Sequence, residues 1–285
     1  MKIAWIGTGV MGSAMLMHLK NAGHMVHAYN RSFEKAEKLI TKDIQVYQTI
    51  ADCIKDCEII FTMVGYPKDV EDVYKRADGI FANAKENAIL IDMTTSSPKL
   101  AKALYTEAKN LGYEMMDAPV SGGDSGAKAG TLSIMCGGNQ ETFDQCKALL
   151  SFMGTPRYMG EAGSGQHCKA CNQIAVAGAV AAMSEAIVYA NKNHLNVEEM
   201  LQAISGGAAG SWQINNTAPR ILKEDFAPGF YIKHFIKDMH IIQEEMGEQH
   251  LDMLDTICHM YETLAQQGEA NKGTQALIHY YKKHA

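Results

Sequence analysis

The chain has 285 residues, 47% hydrophobic and 20% charged, with a formal net charge of −6. Its length allows two domains and a large core. The acidic balance, with no basic cluster, argues against a nucleic-acid surface, and no apolar run approaches the roughly 18 residues that crossing a membrane takes.

Residues 2–6, KIAWI, read as a short buried strand. Across 10–22, Met11, Met15, Leu16 and Leu19 recur at helical spacing, and Gly23 follows as a stop. HMVHAYN is a second strand. Strand, glycine turn, helix and strand within about 30 residues make a βαβ unit. Further apolar strands are expected in EIIFTMV (58–64), AILIDMT (88–94), GYEMMDAP (112–119) and TLSIMCGG (131–138). Alternation with helical stretches predicts a mostly parallel sheet covered on both faces.

The rhythm changes near residue 160. From Gly165 to about Asn193 only Gly178 interrupts a run rich in alanine and other helix formers. A helix of about 28 residues spans roughly 42 Å. It is apolar on most faces, which predicts burial between domains or subunits. Helical segments follow at 197–205, 214–223, 232–247, 249–266 and 272–283, and no strand is expected. The predicted class is α/β plus all-α. An N-terminal dinucleotide-binding domain covers 1–162, an interdomain helix 163–193 and an all-α C-terminal domain 194–285.

The glycines interrupt the N-terminal apolar stretch too soon for a signal peptide, so a soluble cytoplasmic protein is the expectation. Seven cysteines, an odd number, suit thiols in a reducing compartment. Cys168 and Cys171 have C-x-x-C spacing, and Cys53 and Cys57 form a looser pair. No histidine pair at ligand spacing accompanies them, so they read as small helix residues, and no metal is expected.

The first turn carries the clearest chemistry. In Gly7-Thr8-Gly9-Val10-Met11-Gly12, Gly7 permits a tight turn, Gly9 a close backbone approach to a pyrophosphate, and Gly12 close helix–strand packing. The helix N-terminus offers free N–H groups to phosphates. After the second strand stand Asn30, Arg31 and Ser32, where an NAD site usually has an acidic residue for the ribose 2′-hydroxyl. With no carboxylate to repel it, a 2′-phosphate can pair with Arg31 and take a bond from Ser32. NADP is therefore the expected cofactor, with NAD weaker. A solvated surface arginine is the alternative.

Two more stretches hold polar groups in suggestive places. Ser121, Gly122 and Gly123 follow a strand, and consecutive small residues expose backbone N–H groups suited to a carboxylate. A flexible loop without ligand fits them too. On the long helix, Lys169, Asn172 and Gln173 stand at i, i+3 and i+4 and share one face. Burying an ammonium eases release of its proton, which suits a proton shuttle. A lysine reaching out to solvent fits equally.

The landmarks GTGVMG (7–12), DAPVSGG (117–123), GSGQHCKACNQ (163–173) and IKDM (236–239) together resemble the β-hydroxyacid dehydrogenase family, over nearly the whole chain. The resemblance implies a Rossmann domain, a long linking helix and an all-α domain that helps form homodimers or homotetramers. It implies that Lys169 is catalytic, that Ser121, Gly122 and Gly123 hold a substrate carboxylate, and that Asn172 orients the substrate. Gln173 stands where many members have a second Asn. Met63, Val64 and Thr95 fall where the family lines the cofactor, and Lys237 where a lysine reaches the nicotinamide region. Val64-Gly65 replaces the Leu-Pro of many members.

The activity so implied is NADPH-linked, reversible reduction of a small aldehyde or keto acid to a hydroxy acid. Glyoxylate and the semialdehydes of succinate, tartronate and methylmalonate all fit. Trp212, in GGAAGSWQ (206–213), fits two roles equally, setting the pocket size or packing at the domain interface. Two alternatives are an imine reductase, whose members generally lack the lysine, and a non-catalytic nucleotide-binding module.

Overall fold

The computed structural model describes residues 1–284 and divides into two compact units, Met1–Lys169 and the chain from Ala170 onward. The division falls inside the long helix.

In the first unit the strands are β1 (Lys2–Ile6), β2 (Met25–Tyr29), β3 (Gln45–Tyr47), β4 (Ile59–Thr62), β5 (Ile89–Asp92), β6 (Glu114–Asp117), β7 (Val120–Ser121), β8 (Leu132–Gly138) and β9 (Gly154–Gly160). They form one sheet in the order β3-β2-β1-β4-β5-β6-β8-β7, with β9 beside β8. The pairs from β3 to β6 are all parallel, whereas β8 runs antiparallel to β6 and β7. The order 3-2-1-4-5-6 is that of a dinucleotide-binding Rossmann sheet. Alternation along β1 shows how both faces are covered. Ile3 and Trp5 join one core with Met15, Leu16, Phe61 and Ile91, while Ala4 and Ile6 join another with Ile60, Val70, Tyr74 and Leu90.

Around the sheet lie α1 (Val10–Asn21), α2 (Phe33–Glu37), α3 (Ile50–Ile54), α4 (Pro67–Lys75), α5 (Ile80–Asn83), α6 (Pro98–Asn110), α7 (Gly123–Ala129) and α8 (Gln140–Leu150). Three strands escape a sequence reading for physical reasons. β3 and β7 are too short to show a period. β9 carries Pro156 between two glycines, a loop composition, and the structure tolerates it because β9 is paired on one side only.

The long helix α9 (Ser164–Lys192) has 29 residues. Ala177, Val180, Met183 and Ile187 enter the core of the second unit. It is long and apolar enough to cross a membrane, unlike any stretch expected from the sequence, but its buried positions are those of a core helix. Its burial is also one-sided. Cys171, Ala175, Ala182, Glu185 and Tyr189 recur on one face and are exposed, so the described residues do not cover the helix all round.

The rest of the second unit is α10 (Val197–Ser205), α11 (Ala218–Leu222), α12 (Ile232–Met246), α13 (Asp252–Leu264) and α14 (Ile278–His284). A π-helical turn at Gln213–Thr217 precedes α11, and another at Ala265–Glu269 ends α13, where Gly268 has φ +88°. No strand occurs after β9 among the described residues.

Candidate active site

The carboxyl ends of β1, β4, β5 and β6 stand side by side, with Ile6 paired to Thr62, Thr62 to Asp92 and Asp92 to Asp117. In open α/β sheets ligands bind at this edge.

The glycine loop follows β1. Gly7 has φ +100°, and a Cβ there would overlap the Met63 carbonyl oxygen and press on Val64. A Cβ at Gly12 would overlap the Gly7 carbonyl oxygen and crowd Trp5 Nε1, which donates to that oxygen at 3.0 Å. Both glycines are therefore fixed by protein around them. Gly9 differs, since a Cβ there meets nothing within 4 Å. Bare backbone faces open space at the start of the 12-residue α1, which has no side-chain cap. Thr8 is buried, and its hydroxyl oxygen has no hydrogen-bond partner among the described residues. An open backbone surface, an uncapped helix start and an orphaned hydroxyl fit the phosphates of a dinucleotide. Val10 is exposed beside them, and Met11 packs against the core.

Asn30 braces this loop. Its Oδ1 accepts from Thr8 N at 3.0 Å, and its Nδ2 donates to Ser32 O at 3.0 Å. Arg31 and Ser32 are exposed. No carboxylate is expected at this corner from the sequence, yet α4 supplies one. Arg31 Nη1 donates to Asp69 Oδ1 at 2.9 Å. The sequence hides this pair because its members are 38 positions apart.

Behind the loops, buried side chains stitch strand ends together. Asp92 Oδ1 accepts from Thr62 Oγ1 at 2.7 Å and from Thr94 N at 3.1 Å. Burial outweighs these bonds and pushes the Asp92 carboxyl up to about 6. Thr94 Oγ1 accepts from Val64 N at 3.0 Å. Thr95 follows, half-buried. Asp117 takes the start of α9 in both oxygens, from Gly163 N at 2.7 Å and Gln166 N at 2.8 Å. Its carboxyl is also raised by burial. Gln166 completes the set, donating to Thr94 O at 2.7 Å and accepting from Ser96 N at 2.9 Å.

Lys169 lies one turn beyond Gln166 on α9 and is only 7% exposed, so it does not reach out to solvent. Ser121 ends β7, paired with Ser133. Gly122 and Gly123 have φ +135° and +64° and open α7, a bend that side chains would strain. His18 of α1 contacts the Ala127 carbonyl at 2.8 Å, which seats α7 beside the nucleotide helix.

The second unit holds a polar chain of its own. Asn172 Nδ2 donates to Gln173 Oε1 at 2.8 Å, and Gln173 Nε2 donates to Asp238 Oδ2 at 2.6 Å. Asp238 Oδ1 lies 2.9 Å from Lys237 Nζ, an ion pair not aligned as a hydrogen bond. Asn172, Gln173 and Lys237 thus belong to one network through Asp238, which sequence reasoning missed although IKDM contains it. Trp212 is 56% exposed and precedes the π turn, with its carbonyl accepting from Asn216 Nδ2.

Cys168 and Cys171 form no disulfide. Elsewhere His240, Cys258 and Glu262 bring potential ligand atoms within 4.8 Å of one another. His240 and Glu262 already pair at 2.7 Å, and burial pushes the Cys258 thiol up to about 12, which makes it a reluctant ligand.

Known proteins resemble this chain over nearly its whole length. Residues 2–171 match the family described as the NAD binding domain of 6-phosphogluconate dehydrogenase. Residues 163–281 match that described as NAD-binding of NADP-dependent 3-hydroxyisobutyrate dehydrogenase. An uncharacterized oxidoreductase of Bacillus subtilis, YkwC, is 50% identical over 99% of each chain. The 2-hydroxy-3-oxopropionate reductase of Escherichia coli is 33% identical over 98% of this chain and 96% of its own. The structure of Mycobacterium tuberculosis 3-hydroxyisobutyrate dehydrogenase with L-serine superposes with a TM-score of 0.89, at 27% identity and 98% coverage of both chains.

Proposed function

The chain belongs to the β-hydroxyacid dehydrogenase family of NAD(P)-dependent oxidoreductases, and from that premise we propose that it reduces a small carboxylate-bearing aldehyde or keto acid to the hydroxy acid, reversibly and with NADPH preferred. The observation that carries this reading is the burial of Lys169 on the helix that bears Asn172 one turn later. A buried ammonium is costly to keep and needs a purpose. Here its Nζ gives a proton to the substrate oxygen in reduction and takes it from the hydroxyl in oxidation. A bound nicotinamide supplies or accepts the hydride.

The other residues place the reactants. Ser121 and the N–H groups of Gly122 and Gly123 take the substrate carboxylate, and the Asn172 amide, held by Gln173, orients the substrate. Gly9 and the start of α1 take the phosphates, Val64 and Thr95 line the cofactor, and Arg31 pairs with the 2′-phosphate. The E. coli relative, named a 2-hydroxy-3-oxopropionate reductase, supports a semialdehyde as the substrate class. The exposed face of α9 from Cys171 to Tyr189, apolar apart from Glu185, supports a homodimer or homotetramer in which a second copy covers it. A cytoplasmic location completes the reading.

The test is turnover of NADPH with a panel of semialdehydes and glyoxylate. The reading predicts saturable hydroxy-acid formation with at least one of them. NADPH oxidation only with cyclic imines, or binding of NADPH with no turnover across the panel, would sink it.

A further inference from the structure

The corner that reads the cofactor's ribose holds two opposite charges. Arg31 is largely exposed, at 79% of its side chain, whereas Asp69 is only 24% exposed. Asp69 is also anchored. Its Oδ2 accepts from Tyr66 N at 3.2 Å at the start of α4, while its Oδ1 takes the Arg31 guanidinium at 2.9 Å. The carboxylate is therefore the anchored, more buried member of the pair, and the arginine the exposed one.

We propose that Asp69 is a specificity-determining residue that narrows the preference for NADPH and keeps NADH usable. The inference rests on the reading of residues 30–32 as the ribose end of the cofactor site. Two effects act in the same direction. A 2′-phosphate carries close to two negative charges, and it meets a neutral Arg31–Asp69 pair instead of an unmatched cation. A ribose 2′-hydroxyl, in contrast, needs an acceptor, which an acidic residue after β2 usually provides. The chain has Asn30-Arg31-Ser32 there, and Asp69 restores the missing acceptor from another element. Arg31 favours the phosphate, and Asp69 offsets it.

The experiment is a double-mutant cycle read by calorimetric Kd values for NADPH and NADH, with 2′,5′-ADP and 5′-AMP as fragments that lack the nicotinamide. Asp69→Asn keeps an oxygen for Tyr66 N, so the turn is preserved. Asp69→Ser is the second variant, and thermal melts check that both are folded. Asp69→Asn is expected to raise the NADPH-over-NADH affinity ratio about three- to fivefold, the upper range for a partly exposed ion pair. The fragments should move in parallel. In an Arg31→Ala background the same substitution should change the ratio by half as much or less. A ratio unchanged within twofold, a lowered ratio, or an equal effect in both backgrounds overturns the proposal. The reading beneath it fails differently. Arg31→Ala alone would then leave the ratio untouched, or neither fragment would bind.

Discussion

Around Gly7–Gly12 the surface left open is bare backbone, framed by glycines that leave no room for a Cβ. From Asn172 to Lys237 the polar surface is made of side chains that hold one another: two amides, a carboxylate and an ammonium. The difference decides how each region can be damaged. A backbone-built region is disturbed by adding atoms. A side-chain-built region is disturbed by removing them, because each loss leaves a buried partner without its bond.

The largest expected effect lies with Lys169, where removal of one side chain would remove the proposed proton donor. Lys169→Ala should lower kcat by about 10²- to 10⁴-fold, with NADPH affinity little changed. Lys169→Arg should rescue poorly, since a guanidinium does not release its proton near neutrality. Oxidation should rise with pH and reduction should fall, because they need the neutral and charged amine respectively. Near-normal turnover in Lys169→Ala would make the lysine structural.

Next is Asp92, a buried carboxylate beneath the backbone-built region. Its native value of about 6 lies above the ordinary 3.8, so the folded state binds the proton more tightly. Its stabilising contribution is full below 3.8 and is lost as pH rises through about 6. Asp92→Asn keeps an acceptor for Thr62 and Thr94 and removes the charge. It should stabilise the protein at pH 7 by on the order of 2–3 kcal/mol and flatten stability between about pH 4 and 6. Urea unfolding across that window is the check, and a variant less stable than the parent at pH 7 contradicts the sign.

In the side-chain-built region, Gln173→Ala strips the Asp238 carboxylate of its amide donor and leaves Asn172 unheld. A cost of about 1.5–3 kcal/mol is expected, with a KM increase that exceeds any fall in kcat. A neutral result would show that the chain is decorative.

Within the backbone-built region, two glycines separate packing from binding. Gly12→Ala forces a Cβ into the Gly7 carbonyl and should destabilise by about 1–3 kcal/mol. Gly9→Ala adds the same atom to open space, so it should leave the unfolding midpoint in place and weaken cofactor binding instead. Equal melting behaviour of the two variants would erase the distinction.

This contrast also explains what the sequence discloses. Gly7, Gly9 and Gly12 lie within six residues, so their spacing between a strand and a helix exposes them. Lys169 and Asn172 share a helical face, and the resemblance of GSGQHCKACNQ to the family singles them out. Asp117 reaches Gly163 and Gln166 across 46 and 49 positions, Gln166 reaches Ser96 across 70, and Asp238 reaches Gln173 across 65. Such pairs have no local signature, and only the folded sheet brings them together. Strand β9 is hidden in another way, because Pro156 and its flanking glycines read as a loop until β8 is there to pair with.

The two tryptophans of the chain fall on opposite sides of this divide. Trp5 is fully buried on β1, stacked on Phe61 at 5.1 Å, with its indole N–H on the Gly7 carbonyl of the glycine loop. Trp212 is more than half exposed in the second unit. Each unit therefore carries its own optical label. Trp5 should emit at the blue edge, shielded from iodide, and report on the glycine loop, while Trp212 should emit toward the red and be open to quenching.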